Sequence, residues 1–174
     1  CMNSDSEEVR GLLRLIKDHI EQCDETFDNE TITSMILGMQ SMTSGYKEVR
    51  DILTTLNEKY LLSEDNMHGR LVGFAIMGVQ NMSSDCKEVR EILSTVTAKF
   101  STLEGQFHSR FILSILFSMQ KMNADYKEVR DILALLTKML ASAEEELDLP
   151  RVNALVSAVQ NLSFDCKESD NMLA

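Results

Sequence analysis

Proline occurs once and glycine seven times in 174 residues. A β-sandwich or barrel needs a turn about every ten residues, and flexible linkers are rich in glycine, so both are excluded. Positive charge is also in deficit. Seventeen Lys and Arg stand against 28 Asp and Glu, a net charge of −11. Such a chain repels phosphate backbones and anionic lipid in aggregate, although a local basic stripe remains able to bind either. Long apolar runs are missing: the longest, Leu71 to Val79 and Phe111 to Met119, span nine residues each, against about 20 needed to cross a bilayer. No signal or transit peptide is recognisable. The chain opens on Cys1 in mid-repeat, and we expect it to be a fragment of a longer array.

Cysteine is sparse too. Cys1, Cys23, Cys86 and Cys166 match no zinc-ligand spacing. Cys86 and Cys166 occupy one repeat position two units apart, about 20 Å if each layer adds about 10 Å. A disulfide requires Cα atoms within about 7 Å. Free thiols are expected, which favours an intracellular, reducing compartment such as cytoplasm or nucleus, with an organelle left open.

What the chain does have is self-similarity. MQSMTSGYKEVRDIL from Met39, VQNMSSDCKEVREIL from Val79, MQKMNADYKEVRDIL from Met119 and VQNLSFDCKESDNML from Val159 are offset by forty residues without a gap. Gln40, Gln80, Gln120 and Gln160 coincide, as do Arg10, Arg50, Arg90 and Arg130. A fixed period of this length is the mark of a repeat architecture.

Each unit reads as two helices. Helix A of the first full unit is predicted over Asn29 to Met42, with Ile32, Met35, Ile36 and Met39 at the i, i+3, i+4, i+7 spacing of one helical face. A small row, Gly38, Gly78, Ser118 and Ala158, predicts close backbone approach. Helix B carries the stripe Val49, Ile52, Leu53, Leu56, Tyr60. Asp85 with Glu88, like Asp5 with Glu8 and Asp125 with Glu128, reads as a capping box at N-cap and N3. One hairpin cannot bury its apolar face, but stacked hairpins can. The expectation is all-α: an α-solenoid of two-helix repeats with a 40-residue period. It forms one domain over 1–174, with units at about 1–23 (partial), 24–63, 64–103, 104–143 and 144–174 (partial).

The segments SDCKEVREIL (Ser84 to Leu93) and ADYKEVRDIL (Ala124 to Leu133) resemble the HEAT-repeat pattern, in which a turn Asp is followed by Val-Arg at the start of the second helix. Armadillo repeats are similar. The resemblance implies Asp and Arg ladders between units, at Asp85, Asp125, Arg50, Arg90 and Arg130. It departs from the pattern in having the helix-A proline only as Pro150, and Asp/Glu-Ile after Val-Arg.

Candidate sites follow from the repeat phase. The B-to-A loops place Asp24, Glu25, Glu64, Asp65, Glu104, Glu144, Glu145 and Glu146 at matching positions. Stacking would align them as an acidic edge that docks a basic segment, or that serves only solubility. The Gln row reads as a structural ladder capping carbonyls and tying units, or as a grip on a peptide backbone. The Arg row reads the same way: a bridge between repeats, or a fork for an acidic partner. His68 and His108 share a position with Asp28 and Asp148, but two ligands without a third make a poor metal site. The row Met2, Met42, Met82, Met122 reads as inter-helix core rather than an adaptable binding surface.

No phosphate loop, nucleophile elbow or Cys–His pair occurs, so no enzyme, cofactor or metal is expected. The leading expectation is a non-catalytic scaffold binding a protein or peptide, with no membrane. The alternatives are an RNA-binding repeat protein, using outward variation at Thr33, Gly73, Leu113, Asn153 and at Leu37, Met77, Phe117, Ser157, or a purely architectural segment.

Overall fold

The computed structural model describes residues 5–65, 67–102, 108–141 and 148–160. Helices dominate them: α1 (Glu7–Gln22), α2 (Asn29–Gly38), α3 (Lys47–Leu62), α4 (Gly69–Gly78), α5 (Lys87–Lys99), α6 (Ser109–Ser118), α7 (Lys127–Ala141) and α8 (Leu149–Gln160). The described residues are all-α apart from two short strands, β1 (Met67–His68) and β2 (Phe100–Thr102), which pair in parallel. Sequence periodicity gave no hint of this pairing, because two- and three-residue strands are too short to show a period. No helix among the described residues is long and apolar enough to cross a membrane.

The helices form two layers. α1, α3, α5 and α7 pack in series, each on the next, and α2, α4, α6 and α8 do likewise. The layers join through α2 on α3, α4 on α5 and α6 on α7. The core lies between them. Ile32 and Ile36 of α2, Val49, Leu53 and Leu56 of α3, and Val72 and Ile76 of α4 are wholly buried. So are Val89, Ile92 and Leu93 of α5. Met42, Met82 and Met122 belong to this core as well.

The A helices stop earlier than their apolar spacing suggests. α2 ends at Gly38, and the chain tightens into i→i−3 turns: the N–H groups of Met39, Gln40 and Met42 donate to the carbonyls of Ile36, Leu37 and Met39. The same tightening follows α4 and α6. These turns satisfy carbonyls that a helix end leaves open. They put Gln40, Gln80 and Gln120 just beyond the helix rather than in its last turn, whereas Gln160 closes α8 from within.

The B helices start one residue later than a capping box requires. α5 begins at Lys87 with Cys86 at the N-cap, and no side chain caps it. Asp85 therefore lies outside the helix. The turn is closed instead by Arg90, whose guanidinium donates to the carbonyls of Ser84 (2.7 Å) and Asp85 (2.9 Å).

Candidate partner-binding edge

The inter-unit loops are held by three kinds of tie. Lys59, near the end of α3, donates to the carbonyl of Cys23 (2.8 Å), the residue that closes α1. Lys99 repeats this one unit on, donating to the carbonyl of Ser63. A cation at the carbonyl end of a helix is favoured by the helix dipole. Asn29, almost fully buried at the start of α2, donates to the carbonyl of Asp65 (2.6 Å). The β1–β2 pairing then joins the next two loops. Sequence reading missed Lys59 and Lys99; their forty-residue spacing was the available signal.

On this frame sit the sequence-predicted carboxylates. Asp24, Glu25, Glu64 and Asp65 are exposed. None of their carboxylates makes a hydrogen bond or ion pair among the described residues. Nor do they cap α2; Asp28 does, accepting from the Thr31 N–H at 2.7 Å. Glu104, Glu144, Glu145 and Glu146 lie outside the described residues. A cleft of about 280 Å³ opens where α1 and α3 end, lined by Glu21, Asp24, Glu25, Phe27, Lys59 and Leu62 among others. Its walls are mixed. Lys59 lies 5.4 Å from the Phe27 ring centre, and Leu62 is 72% exposed.

The arginine row folds back on its own unit. Arg10 donates to the carbonyl of Asp5 (2.8 Å), Arg50 to Ser44 (2.7 Å) and Gly45 (3.0 Å), and Arg130 to Ala124 and Asp125. The link to the next unit comes from tyrosine. Tyr46 donates to the Asp5 carboxylate (3.1 Å) with Arg10 4.8 Å from its ring centre. Tyr126 does the same to Asp85 (3.0 Å) with Arg90 at 4.4 Å. That hydrogen bond to Asp85 raises the Tyr126 phenol above its ordinary range. Cys86 occupies the intervening position. Burial, then its hydrogen bond to Glu88, pushes its thiol up, which leaves it a poor nucleophile. Cys23 and Cys86 are free.

The glutamine side chains make few ties. Gln80 accepts weakly from Ser118 (3.4 Å). Gln40 contributes its backbone carbonyl, to Asn81 (2.7 Å); the side chain of Gln160 is not described. Closer inter-unit bonds come from a serine row. Ser44 accepts from the Ser83 N–H (3.1 Å) and Ser84 from the Asn123 N–H (2.7 Å). His68 and His108 are exposed N-cap residues without a capping side-chain bond. No group of three metal-ligating side chains occurs among the described residues.

Of the two rows expected to face outward on helix A, one does not. Thr33 and Gly73 are buried and Leu113 is 8% exposed. The other row, Leu37, Met77 and Phe117, reaches the surface. Compared with family models, curated proteins and solved structures, the chain matches none.

Proposed function

We propose that this chain is a short α-solenoid acting as a non-catalytic scaffold, and that its loop edge docks a basic segment of another protein. One observation carries the reading: Asp24, Glu25, Glu64 and Asp65 stay exposed, with carboxylates unpaired among the described residues, on loops that Lys59, Lys99 and Asn29 hold in place. Like charges on a held edge repel one another. A ligand with spaced lysines or arginines relieves that repulsion and is steered by it. The layered packing in series and the forty-residue sequence period favour a solenoid, which presents an extended surface. The free thiols of Cys23 and Cys86 fit a reducing compartment.

The test is fluorescence anisotropy with a Lys/Arg-rich peptide and a single-stranded RNA at low and physiological salt. Salt-sensitive peptide binding that disappears in Asp24→Asn/Glu25→Gln/Glu64→Gln/Asp65→Asn supports the edge. RNA binding that persists at physiological salt sinks it in favour of a nucleic-acid repeat protein.

A further inference from the structure

Acid is abundant in this chain but absent from three of its helices. α4 (GRLVGFAIMG), α6 (SRFILSILFS) and α8 (LPRVNALVSAVQ) contain no Asp or Glu. Within α4 and α6, the i, i+4, i+7 positions that share the outer face are Arg70, Phe74, Met77 and Arg110, Ser114, Phe117. Phe117 is 44% exposed, and Arg70, Arg110 and Ser114 are exposed. Phe74 and Met77 are half-buried. Arg70 stacks on Phe74 at 5.1 Å, and Phe74 meets Phe111 of α6 edge-on at 6.3 Å, so the patch is continuous across the two helices.

The arginines distinguish this face from the rest of the surface. Arg10, Arg50, Arg90 and Arg130 are tied to carbonyls, and Lys47, Lys87 and Lys127 to carboxylates four residues on. The guanidinium groups of Arg70 and Arg110 have no ion pair or hydrogen bond among the described residues. A face of Phe, Met and Arg, with no acid on its own two helices and no ion pair among the described residues, has the composition of a protein-binding hot spot.

We infer that the outer face of α4 and α6 binds an acidic, amphipathic protein segment. Charge complementarity sets the sign of the partner. Packed helices lie about 8–10 Å apart, so equivalent positions on neighbouring helices, such as those of Arg70 and Arg110, are expected about 10 Å apart along the backbone. Two carboxylates at i and i+7 of a helix are about 10.5 Å apart, and apolar residues between them meet Phe74, Met77 and Phe117. The shared chemistry of stacking plus arginine also suits RNA. However, an overall charge of −11 disfavours a polyanion, whereas a short acidic segment meets only the local face.

The probe is a fluorescein-labelled helical peptide of about 16 residues, with two glutamates at i and i+7 flanking two leucines. Its controls are the Glu→Gln version and a labelled oligouridine. With the intact chain we expect saturable binding, weakened about tenfold in the Gln version, and weakened to a similar extent, with the Glu peptide, by Arg70→Gln/Arg110→Gln. Phe117→Ser, on an exposed side chain, should keep the helical circular dichroism and lose binding. Absence of binding, or equal binding to Arg70→Gln/Arg110→Gln, overturns the proposal. Preference for oligouridine at physiological salt overturns the partner class. The basic peptide of the loop-edge test reads a different surface, so the two proposals fail separately.

Discussion

A Cβ added at Gly78 would lie 2.3 Å from the carbonyl oxygen of Ile36, whereas one added at Gly38 meets nothing within 4 Å. The two glycines hold the same place in the repeat, yet only Gly78 meets a neighbouring backbone there. Gly38→Ala, at the last residue of α2, should therefore stabilise the fold by about 0.4–1 kcal/mol, chiefly by restricting the unfolded chain. Gly78→Ala should destabilise it by about 1–3 kcal/mol through overpacking against backbone; urea midpoints of both variants check this. Periodicity made the small row legible, but not which member has a backbone against it. Tyr60 is a second local case. Its hydroxyl is 2.6 Å from the Thr33 hydroxyl, inside the core. Tyr60→Phe should cost about 1 kcal/mol, since Thr33 keeps its bond to the Asn29 carbonyl. Burial pushes the Tyr60 phenol up to about 12 from 10.0. Its contribution is thus present below pH 10 and lost as pH rises towards 12, which absorbance titration against urea stability can follow. Asp28 behaves oppositely. Hydrogen bonds from Thr31, side chain first and backbone N–H second, hold its carboxyl below the ordinary range. Asp28→Ala should lower the melting temperature at pH 7, and the gap should close as pH falls below about 4.

At the scale of elements, the turn before each B helix shows what sequence reading reaches and where it stops. The apolar stripes were legible because a 3.6-residue period is imposed by one buried face. The expected capping box does not form, because Asp85 followed by Glu88 fits a cap only if the helix starts at Cys86, and it starts at Lys87. The row of Thr33, Gly73 and Leu113 lies outside the single apolar stripe of helix A, yet it is buried. α4 is flanked within its own layer by α2 and α6 as well as backed by α5, so a wider arc is covered. Asp24, Glu25, Glu64 and Asp65 are exposed on the loops where repeat phase placed them; the lysines that hold those loops leave no local pattern, since each is a single long side chain reaching a carbonyl, and only their forty-residue spacing marks them. The serine row gives a direct test. Ser84 is 1% exposed and accepts from the Asn123 N–H. Ser84→Ala leaves that donor unmatched and should cost about 1–3 kcal/mol, measured by urea unfolding. The tyrosine tie gives another. Gly45 and Cys86 stand where Asp85 and Tyr126 stand one unit later. Gly45→Asp with Cys86→Tyr should rebuild the contact over Arg50, and the double variant should melt above the sum of its single variants.

At the scale of the molecule, burial is uneven along the stack. Leu12 is 46% exposed, Leu15 60% and Ile16 39% on α1. Their repeat equivalents Ile52, Thr55 and Leu56 on α3 are 3%, 3% and 0% exposed. At the other side Val152 and Val156 of α8 are 40% and 50% exposed, while Ile32 and Ile36 of α2 are both at 0%. Helices that contact chiefly their neighbours share a stability that sums local terms, so the helices with the least buried apolar area open first. Amide hydrogen exchange read by mass spectrometry should therefore show a gradient. Peptides from α3, α4 and α5 should be the slowest, and those from α1 and α8 faster by about tenfold or more for each 1.4 kcal/mol of lost packing. A basic peptide bound at the loop edge should slow α1 and α3 together, because the cleft lies where both end. Uniform exchange across the eight described helices would mean instead that the stack opens as one unit, and that the exposed apolar faces of α1 and α8 are covered in solution.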